Sequence, residues 1–191
     1  MTHKFDINSK HKLDNPLRRE MLPPYKILNQ LGLKEGDIFA DIGCGVGYFS
    51  IPAAEIIGKK GTVYAMDIEL GMIEEVERRA IEHKLSNIRN IVTDEYDLKI
   101  DNKSATFAFI CTVLHEVEDQ KQFLSEVKGI LKAEGNIAIV EWIKKESDWG
   151  PPINHRVDMA EVEKLVKECG FTDISCLELN ENFYAVKARV K

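Results

Sequence analysis

Apolar residues fall along the chain in two alternating rhythms. Short compact runs at 38–42, 62–66, 88–93, 106–112 and 136–143 have the length and the β-branched and aromatic content of strands. Between them lie stretches in which apolar side chains return every three or four positions. Within 69–84, Ile73, Val76 and Ala80 share one face while Glu74, Glu75, Glu77, Arg78 and Arg79 fill the other. The same spacing gathers Phe123, Leu124, Val127, Ile130 and Leu131 after Asp119. It also gathers Met159, Val162, Leu165 and Val166 after Asp158, with Glu161 placed to complete a capping pair and Gly170 to end the helix. Pro23-Pro24 opens a shorter helix carrying Ile27, Leu28 and Leu31, stopped by Gly32. The stretch 48–57 is helical in character, with Pro52 close enough to its start to be tolerated. The polar link 94–105 is too short for a helix plus its loops and reads as irregular chain. The last two strand-like runs, 172–179 and 183–190, are separated only by Asn180-Glu181-Asn182 and predict a hairpin.

Strands that alternate with amphipathic helices predict parallel neighbours, because a parallel pair needs a crossover connection. The expected fold class is α/β: a single doubly wound sheet of seven strands, mostly parallel, with an antiparallel C-terminal hairpin. A polar arm or lid, 1–24, is expected to precede a domain at 25–191.

Composition narrows the function. A chain of 191 residues fits one core without disulfides or a structural metal. Thirty-two acidic against 26 basic side chains give a net charge of −6, which disfavours a polynucleotide partner. The four cysteines, Cys44, Cys111, Cys169 and Cys176, form no C-x-x-C pair and no Cys/His cluster of zinc spacing. They read as reduced thiols, so the expected compartment is the cytoplasm. Residues 1–15 hold no apolar run of signal-peptide type, and nowhere do about eighteen consecutive apolar residues occur, so no membrane span is expected. Oligomeric state is not legible.

The chemistry lies in the turn after the first strand, Asp41-Ile42-Gly43-Cys44-Gly45-Val46-Gly47. Gly43 lets the chain turn tightly, Gly45 removes a side chain that would face a ligand, and Gly47 lets the next helix approach the sheet. Twenty residues after Gly47, Asp67 ends the second strand, where a carboxylate can accept from both hydroxyls of a ribose. A nicotinamide-binding oxidoreductase shares these features. Its G-x-G-x-x-G pattern, however, asks for Gly or Ala at position 48, where this chain has Tyr48.

The segment 39–47 resembles the D-x-G-x-G-x-G signature of class I S-adenosylmethionine-dependent methyltransferases. Val63-Tyr64-Ala65-Met66-Asp67-Ile68 with Met72-Ile73, Thr93-Asp94-Glu95, Cys111-Thr112-Val113-Leu114-His115 with Asp119, and 131–142 resemble further blocks of that family. The likeness spans about 25–190 and implies a Rossmann-like fold and S-adenosylmethionine as cofactor. It further implies that Asp41 orients the glycine loop and the methionine moiety, while Gly43 and Gly45 approach that moiety with their backbones. Asp67 would hold the ribose, and Ile68 and Met72 would pack on the adenine. Asp94 would take the adenine amino group, the Glu95 amide a ring nitrogen, and the Cys111 carbonyl the cofactor's ammonium.

The acceptor is less legible. His115, just beyond the fourth strand, is the candidate base, the alternative being a histidine that fixes the next loop. The loop 144–157, with Trp149, Pro151, Pro152, Asn154, His155 and Arg156, either roofs the acceptor pocket or is mostly a stiff connector. The arm, with His11, Arg18, Arg19 and Tyr25, either closes over the cofactor or frays. His3 and His83 read as surface residues. No N-P-P-Y segment follows the fourth strand, and too few thiols converge for an arsenite substrate. A small molecule is therefore the expected acceptor, with quinone-type ring carbons one option. A cofactor-binding regulatory domain without catalysis stays open at this point.

Overall fold

The computed structural model describes residues 13–147 and 149–191; His3 and His11 of the arm lie outside them. In chain order the elements are α1 (Pro16–Met21), α2 (Pro24–Leu31), β1 (Ile38–Ile42), α3 (Ser50–Ile57), β2 (Thr62–Asp67), α4 (Leu70–Glu82), β3 (Ile88–Val92), β4 (Ala105–Cys111), α5 (Gln120–Ile130), β5 (Leu131–Trp142), α6 (Met159–Glu168), β6 (Thr172–Glu178) and β7 (Phe183–Arg189). They build one seven-stranded sheet in the order β3-β2-β1-β4-β5-β7-β6. Strands β1 to β5 pair in parallel, whereas β7 runs antiparallel between β5 and β6. The expected fold class is thus the one observed, and the order reverses between β1 and β4, where an open sheet of this kind leaves a crevice.

Strand alternation divides the core into two layers. Phe39, Phe107, Phe109, Val140 and Phe183 face α2, α3 and α4, while Ala40, Ile42, Ile110, Ile139 and Tyr184 face α5 and α6. Phe49 anchors the start of α3 through an edge-on contact with Phe109, centroids 4.8 Å apart. Helix ends follow the expected chemistry: the Asp119 side chain accepts from the Gln122 amide at 2.9 Å, and Asp158 and Glu161 form a reciprocal capping box.

Three local differences have identifiable causes. The arm contains α1, a helix not expected from its polar composition; the Asn15 side chain caps it at 2.9 Å and Pro16 supplies its first turn. Helix α3 starts at Ser50 rather than at Tyr48, because residues 46–49 complete the turn begun by the glycines. Strand β5 starts at Leu131 rather than at Asn136. Leu131 pairs with Ala105 ahead of a register shift, and Glu134, at φ 63°, turns the chain before Asn136 meets Phe107.

Fold and site meet at Gly43, whose φ of 71° lies in the left-handed region. A Cβ there would lie 2.4 Å from Val113 Cγ2. Gly43→Ala is therefore expected to destabilise the protein by about 2 to 4 kcal/mol, summing left-handed strain and overpacking. In thermal unfolding, Val113→Ala in the same chain should restore only the steric part.

Candidate active site

The glycine turn is folded against the end of β2 by its own backbone. The amides of Gly43 and Cys44 both donate to the Met66 carbonyl, at 2.8 and 2.9 Å. One residue further on, the Gly45 amide donates to Asp67 Oδ2 at 2.9 Å, and the Glu69 amide donates to Oδ1 of the same carboxylate at 3.0 Å. Burial raises the Asp67 pKa against the pull of those amides. The carboxylate expected to hold a ribose thus also holds the turn, and each oxygen keeps lone-pair capacity for a further donor. Gly47, at φ 78°, admits Val76 of α4: a Cβ there would lie 3.1 Å from Val76 Cγ2.

Asp41 ends up buried, accepting from Ser50 Oγ at 2.5 Å. Burial, reinforced by the charge of Asp67, pushes its carboxyl up to about 7; the Ser50 bond and the charge of Arg18 oppose the rise. Cys111, at the end of β4, is also buried, and burial pushes its thiol up to about 12. Met72 is buried on α4, while Ile68 is left 39% exposed beside Asp67, an apolar side chain without cover at the mouth of the crevice. Asp94 is exposed and ion-paired with Lys99 Nζ at 2.9 Å; it sits one residue beyond Thr93, whose amide donates to the Asp67 carbonyl. Oε1 of Glu95 accepts from the Glu118 amide at 3.4 Å.

The arm crosses the turn. Leu13 lies over Gly45, so that a Cβ on that glycine would come within 2.9 Å of Leu13 Cδ1. Asp14 is tied to α4 through Arg79 Nη1 at 2.6 Å and to Arg19 Nε at 2.7 Å. These arginines hold its carboxyl below the usual range against the effect of burial. Tyr48 Oη donates to the Leu22 carbonyl at 2.8 Å, and the Arg18 guanidinium lies 5.1 Å from the Tyr48 ring centroid. The residue that breaks the dinucleotide pattern therefore helps to hold the arm. Arg18 Nε is buried and has no hydrogen-bond partner among the described residues, and the Arg18 charge acts on both Asp41 and Cys111. Tyr25 instead bonds to Glu55 of α3, and His83 lies 3.3 Å from the same carboxylate.

On the far side of β4 the backbone is strained. Thr112 has φ 56°, rare for a β-branched residue, and its amide is held by the Val140 carbonyl at 2.8 Å. This kink lays Val113 on Gly43 and starts the 3-10 turn Leu114–Glu116. The turn delivers His115 Nδ1 to within 2.8 Å of Glu141 Oε2. Glu141 is buried inside β5, and sequence reasoning missed it; the available signal was a lone acid between Val140 and Trp142 in an apolar strand. In the loop 144–157, Arg156 is buried and spends its donors within the loop. Nε bonds to the Pro151 carbonyl, Nη1 to those of Ile143 and Lys145, and Nη2 to Ser147 Oγ and the Trp149 carbonyl. Its guanidinium also stacks on Trp142, 5.3 Å from the ring centroid. Trp149 is 58% exposed on the outer surface of that loop.

Among the described residues no group of three His, Cys, Asp or Glu side chains is placed to hold a metal ion, and no helix is long and apolar enough to cross a membrane. An open sheet with a glycine turn at its switch point and an acid at the next strand's end defines an α/β domain built for a nucleotide-bearing cofactor. The description of a methyltransferase domain family matches residues 40–139, more than half of the chain. The crystal structure of a SAM-dependent methyltransferase from Aquifex aeolicus superposes with a TM-score of 0.94 at 30% identity, covering 98% of this chain and all of that one. This chain belongs to the S-adenosylmethionine-dependent methyltransferases. Two curated relatives match in part. Aklanonic acid methyltransferase DauC from Streptomyces sp. (strain C5) is 48% identical over 59 residues, 31% of this chain and 27% of that protein. A demethylmenaquinone methyltransferase from Geobacillus sp. (strain WCH70) is 24% identical over 114 residues, 60% of this chain and 49% of that protein. The chain thus spans about half the length of the second relative and about a quarter of the first.

A buried carboxyl titrating near 7 makes stability depend on pH. Its folded pKa is raised above the unfolded value of 3.8, so its contribution is fully present below about pH 4 and is lost as pH rises through about 7. Asp41→Asn keeps an acceptor for Ser50 and cannot ionise. In urea titrations without cofactor, its stability relative to the parent should grow between pH 4 and 8, reaching roughly 4 kcal/mol, and then level off.

Proposed function

We propose that this chain transfers a methyl group from S-adenosylmethionine to a small-molecule acceptor, acting in the cytoplasm. Its domain would occupy 25–191, with 1–24 as an arm across the cofactor. The observation that carries this reading is the convergence on one crevice of the Asp67–Gly45 bond, buried Asp41 and Arg18, whose buried Nε has no partner among the described residues.

The residues present fit the cofactor. Buried carboxylates suit a ligand bearing an ammonium and a sulfonium, and a guanidinium nitrogen without a partner among the described residues suits its carboxylate. Asp41 and the Cys111 carbonyl would take the ammonium, Arg18 the carboxylate, and the Gly43–Gly45 backbone the chain between them. Asp67 would hold the ribose, Ile68 and Met72 would pack on the adenine, and Asp94 with the Glu95 amide would meet its edge. When bound, the cofactor supplies a methyl group already activated by positive sulfur. The protein's own task is to hold the acceptor close and aligned, to exclude water with the arm, and to receive a proton where the acceptor carries one. His115 would take that last role. The Streptomyces and Geobacillus relatives are named for aklanonic acid and demethylmenaquinone, which supports an extended small-molecule acceptor here.

Asp67→Ala should weaken S-adenosylmethionine binding about ten-fold or more by calorimetry, through loss of charge-assisted hydrogen bonds. Arg18→Gln should weaken it by a comparable factor while leaving affinity for 5′-methylthioadenosine, which lacks the carboxylate, unchanged. Parent-like binding in Asp67→Ala would remove the cofactor assignment. A panel of acceptors coupled to release of S-adenosylhomocysteine tests turnover. Cofactor binding with no release from any acceptor would favour a regulatory domain.

A further inference from the structure

We infer that Glu141 is a positioning residue that holds the Nδ1–H of His115 so that Nε2 is the atom facing the reaction, and that the acceptor is a compound with an aromatic or enolic hydroxyl whose proton Nε2 removes. The inference rests on the methyl-transfer reading above.

Glu141 is 1% exposed and sits in β5 opposite Tyr184 of β7, among the side chains that face α5 and α6. A carboxylate in that place is expensive to bury, and a packed apolar side chain would stabilise the strand at least as well. Among the described residues His115 is the only basic side chain within ion-pair distance of it. Both carboxylate oxygens are directed at that one residue: Oε2 at Nδ1, 2.8 Å away, and Oε1 at the backbone amide, 3.3 Å away. The pair of contacts fixes ring and backbone together. With Nδ1 donating to a carboxylate, the neutral ring carries its lone pair on Nε2. Nε2 lies 3.8 Å from Glu116 Oε1, beyond hydrogen-bond reach, and the His115 side chain keeps 8% exposure.

The surroundings choose among acceptors. The charged groups acting on His115 are Glu141 and Glu116, which favour its protonated form, and Arg156, which opposes it; burial opposes it most, yet the balance raises its proton affinity. A base with its lone pair on Nε2 is matched to an acceptor hydroxyl, which becomes a good nucleophile on losing its proton. One lone pair accepts one proton, which is what a hydroxyl must lose. The charge of Arg156 opposes a second cation beside His115, which acts against an ammonium acceptor. In the balanced step the hydroxyl proton moves to Nε2, giving an imidazolium paired with Glu141. The electron pair of the broken O–H bond, on oxygen or on the carbon conjugated with it, forms the bond to the methyl carbon. The carbon–sulfur bond breaks with its pair on sulfur, leaving a neutral thioether.

The first measurement needs no variant and no turnover: nitrogen NMR of histidine-labelled protein above the His115 pKa. The expected signal is Nδ1–H with an unprotonated Nε2, and the Nε2–H tautomer would overturn the role of Glu141. In Glu141→Gln, checked for folding by circular dichroism, the tautomers should mix and the His115 titration should move to lower pH. Turnover should fall at least ten-fold in kcat with KM little changed, and its acidic limb should shift the same way; unchanged tautomer and unchanged profile would overturn the proposal. In the acceptor panel, phenols, naphthols and enols should be methylated and matched amines not. Turnover with amines alone would sink the hydroxyl assignment while leaving methyl transfer intact. Cofactor binding without turnover on any acceptor would remove the reaction itself, and the tautomer measurement would still decide the part played by Glu141.

Discussion

The bond from the Gly45 amide to the Asp67 carboxylate joins the ends of two strands above the sheet, where their ladder no longer holds them. Below it, β1 and β2 are locked by their ladder as far as Ile42 and Met66. Above it the backbone must turn without regular partners, and the Met66 carbonyl, shared by the amides of Gly43 and Cys44, begins the hand-over that Asp67 completes. Because the same carboxylate also caps the approach to α4 through the Glu69 amide, the turn, the strand end and the helix start behave as one rigid rim. A cofactor bound there meets a preformed surface, so little of its binding energy goes into ordering the loop.

That rim is dominated by negative charge the fold has partly desolvated. Burial raises the cost of ionising both Asp41 and Asp67, and a neighbouring carboxylate adds to it, Asp67 for the first and Glu69 for the second. The cation that acts on Asp41, Arg18, approaches from the arm rather than from the sheet, stacked on Tyr48. Electrostatics therefore tie the arm's position to the crevice. The Asp14–Arg79 pair and the Tyr48–Leu22 bond hold the arm down, and Arg18 brings the charge that makes the covered space suit a ligand with both signs.

Most of this architecture was legible because its signals are local and redundant. Period and turn chemistry each mark α4, α5, α6 and the closing hairpin, and Asp119, Asp158 and Glu161 announce helix starts that the structure contains. The glycine turn and Asp67 were legible as a pair because their spacing follows from one βαβ unit. What escaped notice depends on contacts distant in sequence. Glu141 is 26 residues from His115, and nothing in the pattern of β5 says that its acid faces a histidine rather than water. Arg156 was legible as a loop residue, but its five acceptors come from a chain path that periodicity does not describe. The late start of β5 was expected because the eye follows apolar residues, whereas Leu131 joins the sheet by a single pairing ahead of a turn.

Thr112 connects the two halves of the site, and its strain explains why they can be connected at all. A β-branched residue at positive φ costs of the order of 1–3 kcal/mol and persists only when its surroundings over-determine it. Here the Val140 carbonyl holds its amide, on the same strand that carries Glu141 one residue later. Relaxing Thr112 would withdraw Val113 from Gly43 and swing the Leu114–Glu116 turn away from β5, undoing the glycine rim and the His115–Glu141 pair together. The strained residue thus sets the distance between the cofactor turn and the base, and β5 supplies both the bond that enforces the strain and the carboxylate that uses its result.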